Sequence, residues 1–127
     1  MGNGPSNPPG NCVILDVNAL MAPFQMGFNL DMEMSSVLPG YTMVVPTSVK
    51  RELATLIKTS NDWKLKAALQ LGEKYDTVEV KGRGDSPIFN LAVNMGWAVC
   101  TMDRRLKNKL LERGVPVVLV RSRGHLE

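Results

Sequence analysis

Cysteine, histidine and aromatic residues are scarce in this 127-residue chain, and their scarcity excludes several classes of protein. The two cysteines, Cys12 and Cys100, lie in separate apolar runs without CxxC spacing, which argues against a thiolate metal site and a secreted disulfide scaffold. The one histidine, His125, lies near the C-terminus and is a poor candidate for a general base. The GxSxG, P-loop and GxGxxG patterns are missing too, so serine hydrolysis, P-loop nucleotide hydrolysis and dinucleotide binding have no support.

Long apolar runs are also lacking. No stretch approaches the ~20 residues that a membrane-spanning helix needs, and the first residues have neither the basic nor the apolar part of a signal peptide. A cytoplasmic protein with no membrane partner is therefore expected. The length and the 44% hydrophobic content are those of one soluble domain with a single core.

The start of the chain differs in composition from the rest. Residues 1–11 contain three glycines, three prolines and no apolar residue after Met1, so we expect a flexible tail there. The folded domain is expected at residues 12–121, followed by a short C-terminal tail at 122–127.

Short apolar runs alternate with helical patterns along this domain. The predicted strands are 12–17, 41–46, 77–80, 97–101 and 115–120. The predicted helices are a loosely helical stretch at 24–38, one capped by Thr47 or Ser48, one at 60–75, one opened by Asp85, and a basic one at 104–113. This alternation predicts an α/β fold, with a parallel sheet covered by helices on both faces. In such folds ligands bind at the carboxyl ends of the strands.

Four carboxylates fall at that edge of the predicted sheet. Asp16 ends the first strand, Glu52 and Asp85 begin the helices after the second and third strands, and Asp103 follows the fourth. Four like charges brought together repel one another unless a cation lies among them. Oxygen ligands without cysteine or histidine favour Mg²⁺ or Mn²⁺ over zinc.

Each acid also has a structural explanation when it is taken alone. Asp85 and Asp103 fit ordinary helix caps, and Glu52 fits an acid stabilised by the dipole of a first turn. Asp16 is harder to explain in this way, because an acid inside VILDV pays a burial cost that a partner or a metal must offset. Asn18 and Thr101, beside Asp16 and Asp103, either orient these carboxylates or belong to strand-end turns.

The segments VILDVNAL, VPTSVKREL, GDSPIFNLA and AVCTMDRRLKNKLLERGVPVVLV resemble the signature segments of the PIN domain family. The resemblance is strongest to its archaeal branch, which is related to eukaryotic nucleases that process precursor ribosomal RNA. It implies a five-stranded parallel sheet in the order 3-2-1-4-5, in a three-layer sandwich with helices on both faces. It also implies that the four acids bind Mg²⁺ or Mn²⁺.

The chain departs from the family pattern at two positions. Relatives often have Thr or Ser where this chain has Val17. Many have two adjacent acids where it has Asp85 and Ser86, so Ser86 is an alternative for the third position and a candidate for supporting the site.

The resemblance implies a metal-dependent ribonuclease, of the endonuclease kind, that acts in ribosomal RNA processing. The basic residues that flank the acids would hold the RNA backbone: Lys50, Arg51, Arg83, Arg104 and Arg105. The alternatives are a toxin nuclease of a toxin–antitoxin pair and a non-catalytic RNA-binding module of ribosome assembly. Besides RNA, the expected partners are a second copy of the chain and an antitoxin or ribosome-assembly factor.

A nine-to-three excess of basic over acidic residues from Lys81 to Arg123 agrees with a polyanionic partner, although such residues also simply solvate helix faces. A phosphate-accepting receiver domain of similar topology would need an aspartate at the end of the third strand. That strand, TVEV, has none.

Overall fold

A computed structural model describes residues 10–121 and 125–127. Most of the expected N-terminal tail, 1–9, and part of the expected C-terminal tail, 122–124, lie outside the described residues. The strands of the described part are β1 (Cys12–Leu15), β2 (Thr42–Pro46), β3 (Asp76–Val78), β4 (Ala98–Thr101), β5 (Val117–Arg121) and β6 (His125–Leu126). The helices are α1 (Val17–Met26), α2 (Leu30–Val37), α3 (Thr47–Thr59), α4 (Trp63–Gly72), α5 (Asp85–Met95) and α6 (Arg104–Glu112).

The strands form one sheet in the order β3-β2-β1-β4-β5-β6. The first five are parallel and β6 is antiparallel to β5, so the predicted order 3-2-1-4-5 is confirmed with one strand added at its edge. β1 and β4 lie at the centre and are fully buried, which explains their continuous apolar sequences.

The helices pack in two groups. α1, α3 and α4 contact one another, and α5 contacts α6. The connections from β1 to β3 run towards one edge of the sheet and those from β3 to β5 run towards the other. Since such crossovers are right-handed, the two groups cover opposite faces. None of these helices has the length and apolarity that crossing a membrane requires.

The structure differs from the sequence prediction after β1. The stretch at 24–38 contains the end of α1 and the whole of α2, and α1 begins earlier than expected, at Val17, directly after Asp16. It ends at Gly27, whose φ of 73° is a left-handed conformation that glycine adopts readily. The stretch 17–26 is apolar on several faces and five of its residues are buried, which hides the helical period in the sequence.

The edge strand β6 lies within the expected C-terminal tail. The backbone N–H of Leu126 donates to a carboxylate oxygen of Glu33 on α2, 3.3 Å away, and the side chain of Leu126 is buried. Two residues are too few to show the alternation by which a strand is recognised in a sequence.

Candidate metal and RNA site

Asp16 lies where β1 passes into α1, and both of its carboxylate oxygens accept hydrogen bonds. Oδ1 accepts from the backbone N–H of Ala19 at 2.8 Å, so Asp16 is the N-cap of α1. Oδ2 accepts from the hydroxyl of Thr101 at 2.6 Å. Leu15 of β1 pairs with Cys100 of β4, and this register makes the next two residues, Asp16 and Thr101, neighbours. The sheet therefore fixes the carboxylate in place.

The charge of Asp16 is costly in this position. The residue is 7% exposed, and its pKa is raised from 3.8 to about 6. Burial is the main cause, and the charges of Asp85 and Asp103 add to it. The hydrogen bonds from Thr101 and Ala19 act in the opposite direction. A carboxylate that ionises at this cost is a strong candidate for binding a cation.

Asp103 is held through the same threonine. The hydroxyl of Thr101 accepts from the backbone N–H of Asp103 at 3.0 Å. Oδ1 of Asp103 in turn caps α6, accepting from the backbone N–H groups of Arg105 at 2.9 Å and Leu106 at 3.2 Å. Both cap bonds use one oxygen, so capping a helix and binding a ligand are compatible at this carboxylate.

Neither Asp85 nor Glu52 has the structural role that the sequence suggested for it, since Asp85 is not a helix cap and Glu52 is not in a first turn. The N-cap of α5 is Gly84, which has no side chain, and Asp85 lies in the first turn without capping the helix. The pKa of Asp85 is raised by partial burial of its carboxyl and by the neighbouring Asp103, while Lys109 and Arg105 oppose the rise. Glu52 lies beyond the first turn of α3, which contains no acid.

One cavity of about 220 Å³ brings the four acids together at the carboxyl ends of the strands. Its lining is Asp16, Val17, Asn18, Ser48, Val49, Glu52, Gly84, Asp85, Ile88 and Asp103. Asp85 thus borders this cavity and Ser86 does not. Thr101 lies directly behind Asp16 and Asp103, to which it is hydrogen-bonded.

The chemistry of this lining fits a hard divalent cation. It offers carboxylates and the amide of Asn18, with no cysteine or histidine, and oxygen ligands are those that Mg²⁺ and Mn²⁺ prefer. Within residues 10–121 and 125–127, no three acidic, histidine or cysteine side chains already converge at metal-binding distances. Glu52 and Asp85 are exposed, so their side chains can rotate towards Asp16 and Asp103 without disturbing the core.

The structure separates the basic residues that the sequence grouped. Arg51 donates from Nη2 to the backbone oxygens of Val80 and Gly82, both at 3.1 Å, and lines a groove next to the cavity together with Arg83. Lys50 is turned elsewhere, because its ammonium pairs with Glu73 at 3.1 Å and donates to Thr77 at 2.6 Å. The structure does not bring Lys50 to the cavity.

The remaining basic residues belong to α6. Arg104 and Arg105 are exposed in its first turn. Arg105 and Lys109 lie near enough to Asp85 to lower its pKa. Lys109 was not singled out from the sequence, although its position four residues after Arg105 places both on one face of the helix.

The sequence also missed a role for Ser48 beyond capping. The N-cap of α3 is Pro46, and the hydroxyl of Thr47 bonds instead to the backbone of Val80, accepting from its N–H at 3.0 Å and donating to its oxygen at 3.1 Å. Ser48 lines the acidic cavity, and no residue pattern indicates this before the fold is known.

The parallel sheet and the acidic cavity define an α/β domain whose acidic side chains meet at the carboxyl ends of its strands. The sequence profile described as "PIN like domain" matches residues 13–123, and the chain belongs to this family. It is 32% identical over 124 residues to Ribonuclease VapC4 of Methanocaldococcus jannaschii, covering 91% of this chain and 94% of that protein. It is 29% identical over 110 residues to Ribonuclease VapC9 of Archaeoglobus fulgidus, covering 84% of this chain and 80% of that protein.

A solved structure of the PIN domain endonuclease Utp24 has the same fold. It superimposes with a TM-score of 0.75 at 20% sequence identity, covering 91% of this chain and 90% of that one. The expected fold and family are thereby confirmed.

Proposed function

We propose that this chain is an endoribonuclease that depends on Mg²⁺ or Mn²⁺ and hydrolyses RNA phosphodiester bonds at the acidic cavity. The observation that carries the proposal is the meeting of Asp16, Glu52, Asp85 and Asp103 around one cavity, although they come from four separate segments of the chain. The ribonuclease relatives in sequence support the choice of RNA as substrate.

The four acids have different tasks in this proposal. Asp16 and Asp103 are the anchoring ligands, since hydrogen bonds already orient them. Asp85 is the third ligand, and Glu52 completes the site or orients the attacking water. A bound divalent cation would supply acidification of that water and neutralisation of charge on the phosphate and the leaving oxygen. Thr101 keeps Asp16 and Asp103 at a fixed separation by bonding to both.

The basic residues around the cavity bind the RNA backbone. Arg51 and Arg83 line the groove next to the cavity. Arg105 and Lys109, both on α6, lie near Asp85 of α5. Contacts of this kind attract phosphate without reading sequence and weaken as salt increases.

A cleavage assay on a fluorescently labelled single-stranded RNA tests the proposal. We expect cleavage with Mn²⁺ or Mg²⁺, none with EDTA, and a severe loss with Asp103→Asn. Asp62→Asn is the matched control, because Asp62 caps α4 in the same way, at 3.0 Å from the N–H of Lys64, without lining the cavity. Cleavage that survives EDTA, or equal rates for the two variants, would refute the proposal.

The relatives named VapC ribonucleases favour the toxin nuclease of a toxin–antitoxin pair, with an antitoxin as protein partner in the cytoplasm, over ribosomal RNA processing. Growth arrest on induced expression, relieved by Asp103→Asn, would support the toxin role. Normal growth on induced expression, combined with accumulation of misprocessed ribosomal RNA when the gene is deleted, would support a role in ribosomal RNA processing.

A further inference from the structure

A second depression, a groove of about 390 Å³, adjoins the acidic cavity. Ser48, Glu52 and Gly84 line both of them, so the two spaces lie side by side. Arg51, Leu56 and Arg83 line the groove and do not line the acidic cavity. Its volume lies in the range of roughly 300–1,000 Å³ that is usual for small-molecule sites. A ligand that occupies the groove would therefore contact Glu52 and lie beside the acidic cavity.

Ser48 stands at the junction with an unusual side chain. It is 7% exposed, and its hydroxyl is the one buried side-chain polar atom without a hydrogen-bond partner in the part of the chain that the structure describes. A buried hydroxyl without a partner is destabilising. Rotation about the Cα–Cβ bond to another staggered position moves the hydroxyl without moving the helix. This residue is thus suited to a partner that arrives from outside.

The walls of the groove combine cationic and apolar groups. Ser48, Glu52 and Leu56 recur every four residues along α3 and share one face of it. Leu56 is 38% exposed, a large apolar side chain open to solvent. Arg51 is anchored to the carbonyls of Val80 and Gly82, and a guanidinium with five N–H donors is not exhausted by two bonds. Such walls suit a ligand with both an anionic group and a flat apolar face.

The geometry points to this groove as a subsite for one nucleotide of an unpaired RNA strand, next to the phosphate that lies in the acidic cavity. The base packs on Leu56, the arginines contact the backbone, and the hydroxyl of Ser48 donates to an oxygen of the phosphate that joins the two spaces. The inference rests on the proposed function. A base within a duplex would first have to leave its pair and its stack, so the subsite selects unpaired RNA.

Binding of the dinucleotide UpU in the presence of Ca²⁺, which carboxylates bind and which offsets their charge, is followed by amide chemical shifts and tests the subsite apart from the cleavage assay. We expect shifts at Ser48, Thr55, Gly82 and Gly84. Ser48→Ala should weaken binding about five-fold, the effect of one lost hydrogen bond, while its melting temperature holds or rises. Thr59→Ala, which removes a hydroxyl already bonded to the oxygen of Leu56, is the control on the same helix and should bind as the wild type does.

A second matched pair tests the apolar wall. Leu56→Ala should weaken UpU binding about three-fold, whereas Leu111→Ala, a truncation of another exposed leucine on α6, should leave it unchanged. Chemical shift changes confined to Asp16, Asn18 and Asp103 would overturn the subsite. Equal UpU affinities for the two variants within each pair would overturn it too. So would a lower melting temperature for Ser48→Ala without a change in affinity.

The cleavage assay separates this inference from the proposed function. RNA cleavage by the wild type together with no UpU in the groove would overturn the subsite alone. If UpU binds in the groove but no divalent-dependent cleavage of RNA is found, the proposed nuclease function is overturned and the groove remains an RNA-binding site.

Discussion

The two halves of the acidic cavity are built differently. Asp16 and Asp103 form a fixed half, since each lies within two residues of the end of a central strand, caps a helix, and bonds to Thr101. Glu52 and Asp85 form an adjustable half, since both are exposed and their helices begin without a side-chain cap. In the proposed function, the sheet would set the position of the cation, and the exposed side chains of Glu52 and Asp85 would turn towards it.

The largest expected effect comes from breaking the fixed half with Asp16→Asn. RNA cleavage should fall by about 100-fold or more, because loss of a supporting partner alone commonly costs 10- to 100-fold. The melting temperature of the metal-free protein should hold or rise, because a buried charge is removed while an oxygen remains to accept from Ala19. Added Mn²⁺ should stabilise the variant less than the wild type. A marked drop in the metal-free melting temperature would mean that Asp16 is structural.

The pH dependence of stability comes next in size. The folded-state pKa of Asp16, about 6, lies above its unfolded value of 3.8, so the folded protein holds a proton more tightly. The metal-free protein should therefore gain stability from this group as the pH falls from about 7 to about 4, by up to about 3 kcal/mol.

Urea unfolding in EDTA across that range, for the wild type and Asp16→Asn, measures this contribution as the difference between two curves. The gain should be missing from the variant. If the stability of the two proteins changed with pH in parallel, the pKa of the Asp16 carboxyl would not be raised by its surroundings.

A somewhat smaller effect, on Mn²⁺ affinity, is expected from Thr101, whose hydroxyl links Asp16 and Asp103. Thr101→Val removes the hydroxyl that donates to Asp16 and accepts from Asp103, so Mn²⁺ affinity should fall by roughly 10- to 100-fold. Thr101→Ser keeps the hydroxyl and should recover most of the affinity. Calorimetric titration with Mn²⁺ measures both, and equal losses in the two variants would point to packing instead of hydrogen bonding.

The smallest effect is expected in the adjustable half. Asp85→Asn should weaken Mn²⁺ binding by about ten-fold, since Glu52 and water can take over part of its role. Ser86→Ala is the control, because Ser86 does not line the cavity, and it should bind Mn²⁺ normally. A loss with Ser86→Ala and none with Asp85→Asn would identify Ser86 as the third position.

The sequence was informative where residue type and strand ends coincide. Asp16 and Asp103 lie at the ends of apolar runs that are typical of buried strands, and the ends of parallel strands meet at one edge. Their convergence could therefore be expected without coordinates. The strand order could not be worked out from periodicity and came from the family resemblance.

The direction of Lys50 and the environment of Ser48 depend on tertiary packing, and no sequence pattern predicts them. The direction of Lys50 is set by Glu73 and Thr77, which come close only when α3 and α4 pack and β3 joins β2. Ser48 looked like a helix cap, but Pro46 takes the cap position and leaves the hydroxyl without a partner. Such outcomes depend on which surfaces meet, and residue spacing does not encode them.

The central claim is that the fixed half is the anchoring part of a divalent-metal site. Anomalous diffraction from crystals soaked in Mn²⁺ tests this most directly, because it locates the ion independently of activity. We expect a peak beside the carboxylates of Asp16 and Asp103, with Asp85 or Glu52 rotated towards it. Saturating Mn²⁺ that leaves no peak at these two residues would contradict the account.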